Sequence, residues 1–591
     1  MVGAGRKHAP GPDLPAVSTR SATWGTVRLA VERRARRAVS ESERERTCAV
    51  LLGAAMVVYA VLAMYLTRGV TLFVDGIQLF LQNRGFDPAV LLAPLNGHLV
   101  LMERSVYAAD FGLFGANFVV IRLIETAGTL AAAGLVFVYV RRRVGSLVAL
   151  PLALLALFLG SAWEAILLPE GMTNVYAAAA GLGAFLALDR RDLRGDSIAS
   201  LLLVVSIACW TLGLAFAVGA ATRIILEPRW RRRIWVVVVP LALYGAWLAW
   251  VHATTLPQNV PVGQSVTVSN ALLIPNFVAD EAGAVAGALT GLNYDFTGAN
   301  ASLAVFSTEL RYGIPIAAIA ATALVFRLRR GRVHPALWAG LAALLSFWAI
   351  LALGFGLGRN PTTVRYVYPG AVLVLVVAAE ALAGIRPSRA VIIALAIVAV
   401  LALGANLRRL SDGASFLRGY STRQRAQLTA LEVARPHLRP GFAVQEAFLA
   451  IKARPYLAAV DRNGSPAFTP SELAAQPEGI REAADTTLAS AIGLGLGRPA
   501  PGLRPGNCQR FASSPTRALL FAARPPGILI RADVPTAVSV SRFADQPTVS
   551  LGSTPAGKPS TLRIPRDALR APWYVGVSAN GHPVTVCESL R

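Results

Sequence analysis

The sequence predicts a polytopic α-helical membrane protein with about eleven transmembrane helices, followed by a C-terminal extracytoplasmic α+β domain ending in a small β-sandwich. Three observations predict this. Of 591 residues, 54% are hydrophobic and only 15% charged, whereas soluble globular chains carry about 25% charged residues. Apolar runs of roughly 20 residues, each able to cross a hydrocarbon core about 30 Å thick, recur from Cys48 onward. Arginine clusters follow every second run. The mean hydropathy of +0.53 also excludes disorder over most of the chain.

Residues 1–46 are polar and carry 10 basic and 5 acidic side chains. They read as a cytoplasmic basic tail, not a cleavable leader, because the first apolar run starts too late. The span region is 47–405. Its apolar runs cover 48–67, 116–140, 146–163, 173–188, 197–210, 211–227, 234–252, 311–327, 336–356, 368–385 and 390–405. The pair 197–210 and 211–227 is short, and one long span there would invert everything downstream.

The arginines decide the point. Arg141–Arg143, Arg190–Arg194, Arg229–Arg233, Arg327–Arg332 and Arg386–Arg389 each follow an even-numbered run. With the N-terminus inside, all are cytoplasmic, as the positive-inside bias requires, and this favours two spans over one. The net charge of +24 therefore reports topology, and no nucleic-acid partner is expected. The outer loops are 68–115, 253–310 and 359–368. The first two read as interfacial helices on the membrane or as ordinary extracellular packing.

The tail, 406–591, changes character. Residues 406–492 are mainly helical by apolar spacing. Gly and Pro then break regular structure, and 516–591 is β-rich, with short strand-type runs such as Ala537–Ser541 and Trp573–Ser578 between turns. Cys48 and Cys209 sit in spans. Cys508 and Cys587 both lie in the outer tail, an oxidising space, and are expected to form a disulfide. No zinc spacing, phosphate-cradling glycine loop or nucleophile elbow is present.

Ionisable groups near a membrane are costly and tend to be functional or paired. The first outer loop carries Asp75-Gly76, then Asn96-Gly97-His98, Glu103-Arg104, and Phe114-Gly115-Ala116-Asn117. Asp75-Gly76 also reads as a turn. A late outer loop carries Arg359-Asn360, then Arg365-Tyr366-Val367-Tyr368. Those residues serve equally as headgroup anchors. Glu164 and Glu170 fall in a short outer turn read as solvated, with Glu164 able to line the cavity; Asp280, Glu281 and Asp295 fall in a wet loop, where they solvate or bind a metal or acceptor. Glu380 lies mid-span with no obvious partner.

An acid beyond the first span, an Asn-Gly-His segment and a Leu-Phe-Gly-x-Asn entry to the second span resemble the GT-C glycosyltransferases. The protein O-mannosyltransferase-like bacterial branch is the nearest in pattern. The resemblance covers roughly 47–405. It implies an integral plasma (inner) membrane enzyme that transfers sugar from a polyprenyl-phosphate donor to an envelope glycan or protein acceptor on the extracytoplasmic side. Asp75, His98 and Glu103 would be catalytic. Arg359, Arg365 and Tyr366 would bind the donor phosphate. Cofactors stay open: none is certain, and a divalent metal is the candidate. Many members carry two acids where this chain has Asp75-Gly76, and a charged pair where it has Cys209-Trp210-Thr211-Leu212. A non-catalytic relative that binds lipid-linked glycan or scaffolds an envelope complex is the alternative. A secondary transporter is a second alternative, although no internal repeat is visible.

Overall fold

The computed structural model describes residues 24–254, 268–293, 307–331, 333–355, 360–385, 387–445, 449–498, 504–569 and 571–590. Arg359 and Asp295 lie outside the described residues. The chain forms two compact units, Met1–Leu51 and Leu52–Arg591. Helix α1 (Trp24–Leu66) starts in the first; the remaining elements belong to the second.

The first loop holds α2 (Val74–Gln82), α3 (Pro88–Leu91) and α4 (Leu101–Phe114). The helical bundle continues with α5 (Phe118–Val144), α6 (Ser146–Leu157), the short α7 (Trp163–Ile166), α8 (Met172–Leu188), α9 (Leu193–Cys209), α10 (Leu212–Leu226), α11 (Trp230–Arg233) and α12 (Trp235–Ala253). It closes with α13 (Ile274–Thr290), α14 (Gly313–Arg329), α15 (Pro335–Leu353), α16 (Val364–Ala381) and α17 (Arg389–Ala434).

Among the described residues, 8 helices are long and apolar enough to cross a membrane, or 9 if α6 and the bent segment Gly160–Ile166 make one span. Every apolar run read from the sequence houses a helix. Three of them, α9, α10 and α14, have only 17, 15 and 17 residues, about 22–26 Å at 1.5 Å per residue. Conversely, Val268–Thr290 passes the same test although it falls in the second long loop. There α13 is packed among other helices: Gly313 approaches the Gly283 carbonyl so closely that a Cβ would lie 1.9 Å away.

The uncertain 197–227 segment is a hairpin. Trp210 is fully extended between α9 and α10. Gly213 folds back on the chain, where a Cβ would meet Ile207 N at 2.3 Å. Arg233 binds Asp196 at 2.6 Å and also Glu227, so the start of α9 meets the end of α10. One straight helix would hold those two acids about 46 Å apart. Arg223 extends the cluster to Asp189 at 2.9 Å. Arg143 joins Asp189 to Glu380, at 3.0 and 2.7 Å. Glu380 thus has two partners, Arg143 and Tyr139, which the sequence did not reveal. Buried ions persist only when paired in this way.

Helix α17, 46 residues long, leaves the bundle and continues without a break into the tail. There it packs on α18 (Ala453–Asn463), α19 (Pro470–Ala474) and α20 (Glu478–Ile492). Strands β1 (Ala443–Gln445) and β2 (Ala450–Lys452) form a small ladder. The remaining strands are β3 (Leu496–Gly497), β4 (Arg504–Phe511), β5 (Leu519–Ala523), β6 (Gly527–Ala532), β7 (Thr536–Ser541), β8 (Val549–Thr554), β9 (Ser560–Arg563), β10 (Trp573–Ser578) and β11 (Val584–Leu590). They make two sheets, ordered β5-β10-β7-β8 and β3-β9-β6-β11-β4. Val538, Val540, Trp573 and Val575 of one sheet share a core with Ile528, Ile530 and Val586 of the other. Alternating apolar residues dictate this two-layer packing. Strand β4 forms within the Gly/Pro-rich stretch read as a breaker. It places Cys508 opposite Cys587, with the sulfurs 2.10 Å apart in a disulfide.

The first loop packs against the tail. Ile77 and Phe80 of α2 and Tyr107 and Phe111 of α4 belong to the same buried core as Tyr456, Leu488 and the sandwich. Burial of this apolar surface, worth about 25 cal/mol per Å², welds the loop to the tail.

Candidate active site

The site is built from the first loop outward. Asp75 occupies the first turn of α2 and is half-buried. Asn96 and Gly97 both have positive φ, 50° and 82°. Leu95 and His98 exchange two backbone hydrogen bonds across them, at 3.0 and 2.9 Å. Asn-Gly is the preferred pair for such a two-residue I′ turn. The turn aims its two polar side chains in different directions. Asn96 Nδ2 donates to Asp75 Oδ1 at 2.8 Å. His98 Nδ1 lies 3.2 Å from Thr211 Oγ1, and its ring meets Trp210 edge-on at 5.9 Å.

Trp210, at the α9–α10 break, stacks parallel to Tyr366 with ring centres 6.2 Å apart. Arg365 precedes Tyr366 on α16 and pairs with Glu164 of α7 at 3.2 Å. Glu164 is buried, with Oε2 unpartnered, and Arg365 Nε is likewise buried without a partner. Glu170 accepts a hydrogen bond from the Tyr107 hydroxyl at 3.1 Å through Oε1, leaving Oε2 unpartnered. The charge of Asp75 acts on Glu103, Glu164, Glu170 and Arg365 alike, which places all five groups in one electrostatic cluster.

Glu103 is buried on α4, and one of its oxygens has no partner. Burial first, then the charges of Glu170 and Asp75, hold its carboxyl well above the usual range. Both causes disfavour its charged form. Neighbouring Arg104 fixes the loop: it donates to the Ala93 carbonyl at 3.0 Å and to Gln82 Oε1 at 2.9 Å. Among the described residues, no group of three His, Cys, Asp or Glu is arranged to hold a metal ion.

The structure thus links His98 to Tyr366 through Trp210, while the charge of Asp75 is felt at Glu103 and Arg365. The turn read mainly as solvated holds Glu164 buried and Glu170 part-buried, both within reach of the Asp75 charge. The available signal was their setting, two acids inside an apolar stretch, which membrane-proximal cost marks as functional. Gly76, read as half of a turn, has a different meaning. A Cβ there would lie 1.9 Å from Glu170 Oε1.

Neither a protein-family model nor any curated protein matches the chain. Solved structures do. One is ArnT from Cupriavidus metallidurans bound to undecaprenyl phosphate, at 15% identity, covering 69% of this chain and 84% of that one, with a TM-score of 0.40. Its apo state overlaps to the same extents at 14% identity and a TM-score of 0.41. Another is the arabinosyltransferase EmbB from Mycobacterium smegmatis, at 15% identity, covering 91% of this chain and 64% of that one, with a TM-score of 0.31. These are likenesses of outline, and the chemistry of the site stands on its own residues.

Proposed function

We propose that this chain transfers a sugar from a polyprenyl-phosphate donor to an envelope glycan or protein acceptor, at the extracytoplasmic face of the plasma membrane. One arrangement carries the reading: a half-buried carboxylate oriented by Asn96, with an arginine fork held by Glu164 at 3.2 Å. In this reading the arginine-rich end of the bundle is cytoplasmic, and the 406–591 tail lies outside with the Asp75 loop.

The geometry suits the reaction's two needs. Asp75 takes the proton from the acceptor hydroxyl as its oxygen attacks the anomeric carbon. The bond between that carbon and the phosphate oxygen breaks, and the electron pair leaves on the phosphate. Arg365 faces this developing charge, since a guanidinium fork matches phosphate oxygens. Glu164 holds the fork in place. Trp210 and Tyr366 offer flat apolar faces beside it.

The test is sugar transfer by purified protein from a panel of polyprenyl-phosphate sugars, with wild type against Asp75→Asn. A general base contributes about 10²–10⁴-fold, so the variant should lose at least about a hundredfold. No turnover with any donor would instead support the non-catalytic reading.

A further inference from the structure

The helix that carries Asp75 cannot stand alone. Helix α2 has nine residues, and Phe73 at its N-cap makes no side-chain capping bond. Isolated helices shorter than about 12 residues are marginal in water. Its stability must come from tertiary contacts; α4 supplies Phe111 against Phe80 at 5.5 Å, and a segment about 380 residues away in sequence supplies hydrogen bonds.

Asn463 ends α18 in the tail and is 5% exposed. Its Nδ2 donates to the Phe80 carbonyl at 3.0 Å. Its Oδ1 accepts from Asn83 Nδ2 at 3.0 Å. Arg462 adds a bond to the Leu81 carbonyl at 3.2 Å. Phe80 and Leu81 lie in the last turn of α2, where carbonyls lack helical partners. Tyr456, two turns earlier on α18, packs on Phe80 at 6.1 Å. Gly464 then lets the chain turn away with φ 85° while its backbone lies against Ala116.

We infer that the C-terminal domain is a positioning module for the active site, and that Asn463, through its paired contacts with Phe80 and Asn83, holds α2 and thereby Asp75 in register. Asn463 is a positioning residue: it touches no reacting atom. This inference rests on the proposed transferase reading for its catalytic consequence, but not for its structural one. Arg365 lies on α16, outside the clamp, so donor binding should be indifferent to Asn463 while the chemical step is not.

The experiment uses the full chain in lipid nanodiscs, comparing wild type with Asn463→Ala and Asn83→Ala. Hydrogen exchange is read over 74–82 and over 364–381. Losing a buried hydrogen bond should speed exchange across 74–82 by about tenfold, with 364–381 unchanged. The two variants combined should give less than the product of their separate effects, because they share one bond. With an active donor, kcat falls and donor KM holds. Arg481→Ala, which cuts the tail ion pair to Asp545, should leave 74–82 unchanged and controls for general loosening of the tail. If Asn463→Ala misfolds, Asn463→Asp keeps the acceptor for Asn83 and loses only the donor to Phe80. Unchanged exchange at 74–82 in every Asn463 variant, or equal acceleration by Arg481→Ala, overturns the inference. A wild type inactive with all donors overturns the transferase reading alone, because the exchange result still decides the clamp.

Discussion

Gly76 and Glu170 share one space: a Cβ on Gly76 would sit 1.9 Å from Glu170 Oε1 and 3.3 Å from the Tyr107 hydroxyl. The missing side chain beside Asp75 is therefore replaced by a carboxylate arriving from the turn before α8. Gly76→Ala must displace Glu170 or shift α2. Overpacking of this kind costs about 1–3 kcal/mol. Thermal unfolding of Gly76→Ala should fall accordingly, and sugar transfer should drop with it. Gly76→Ala combined with Glu170→Ala should recover part of the stability. If the double variant is no more stable than the single, the two residues do not compete for this space.

The Asn96-Gly97 turn is the second point of control. Gly97→Ala forces a side chain to φ 82°, a conformation that costs L-residues about 1–2 kcal/mol. Asn96→Ala removes the hydrogen bond from this turn to Asp75, a loss of about 1 kcal/mol. Both variants should lower turnover about tenfold without changing donor affinity. Steady-state kinetics against donor concentration decide this; a change confined to donor KM would contradict it.

Arg365→Lys keeps the charge and loses the fork. Donor KM should rise about tenfold, the scale of one charge-assisted hydrogen bond. Arg365→Ala leaves the buried Glu164 carboxylate without its ion partner, and breaking such a pair is strongly destabilising. Combining it with Glu164→Ala should therefore cost less than the two single changes added. Additive unfolding free energies would show that the pair is not coupled.

Asp110 on α4 is buried, and neither of its carboxylate oxygens has a hydrogen-bond partner. Burial pushes its carboxyl up to about 7. The folded state thus holds the proton more tightly than the unfolded chain, whose carboxyl titrates near 3.8. Below about pH 4 both states are protonated and nothing is lost; the penalty grows as pH rises through the window to about 7 and then levels. Asp110→Asn should match wild type near pH 4 and unfold about 2 °C or more higher at pH 8. A constant difference across that range would remove Asp110 as the cause.

What the sequence by itself determined is everything local or periodic. Apolar runs predicted a helix in each span, because lipid demands internally satisfied backbone. Arginine alternation predicted the α9–α10 hairpin. The Asn96-Gly97 pair predicts its own turn, and β-type alternation predicted most of the sandwich. Only the tertiary structure decided which acids meet. Glu164 and Glu170 joined Asp75 because helix packing, with no signature in neighbouring residues, folded their turn inward. Arg143 found Glu380 across 237 residues for the same reason. The first loop shows the same limit. Its apolar character suited a membrane surface or ordinary packing equally, and Ile77, Phe80, Tyr107 and Phe111 are buried in one core with α18 and the sandwich. Hydrophobic burial is non-directional, so a sequence can announce that a surface must be covered without saying by what.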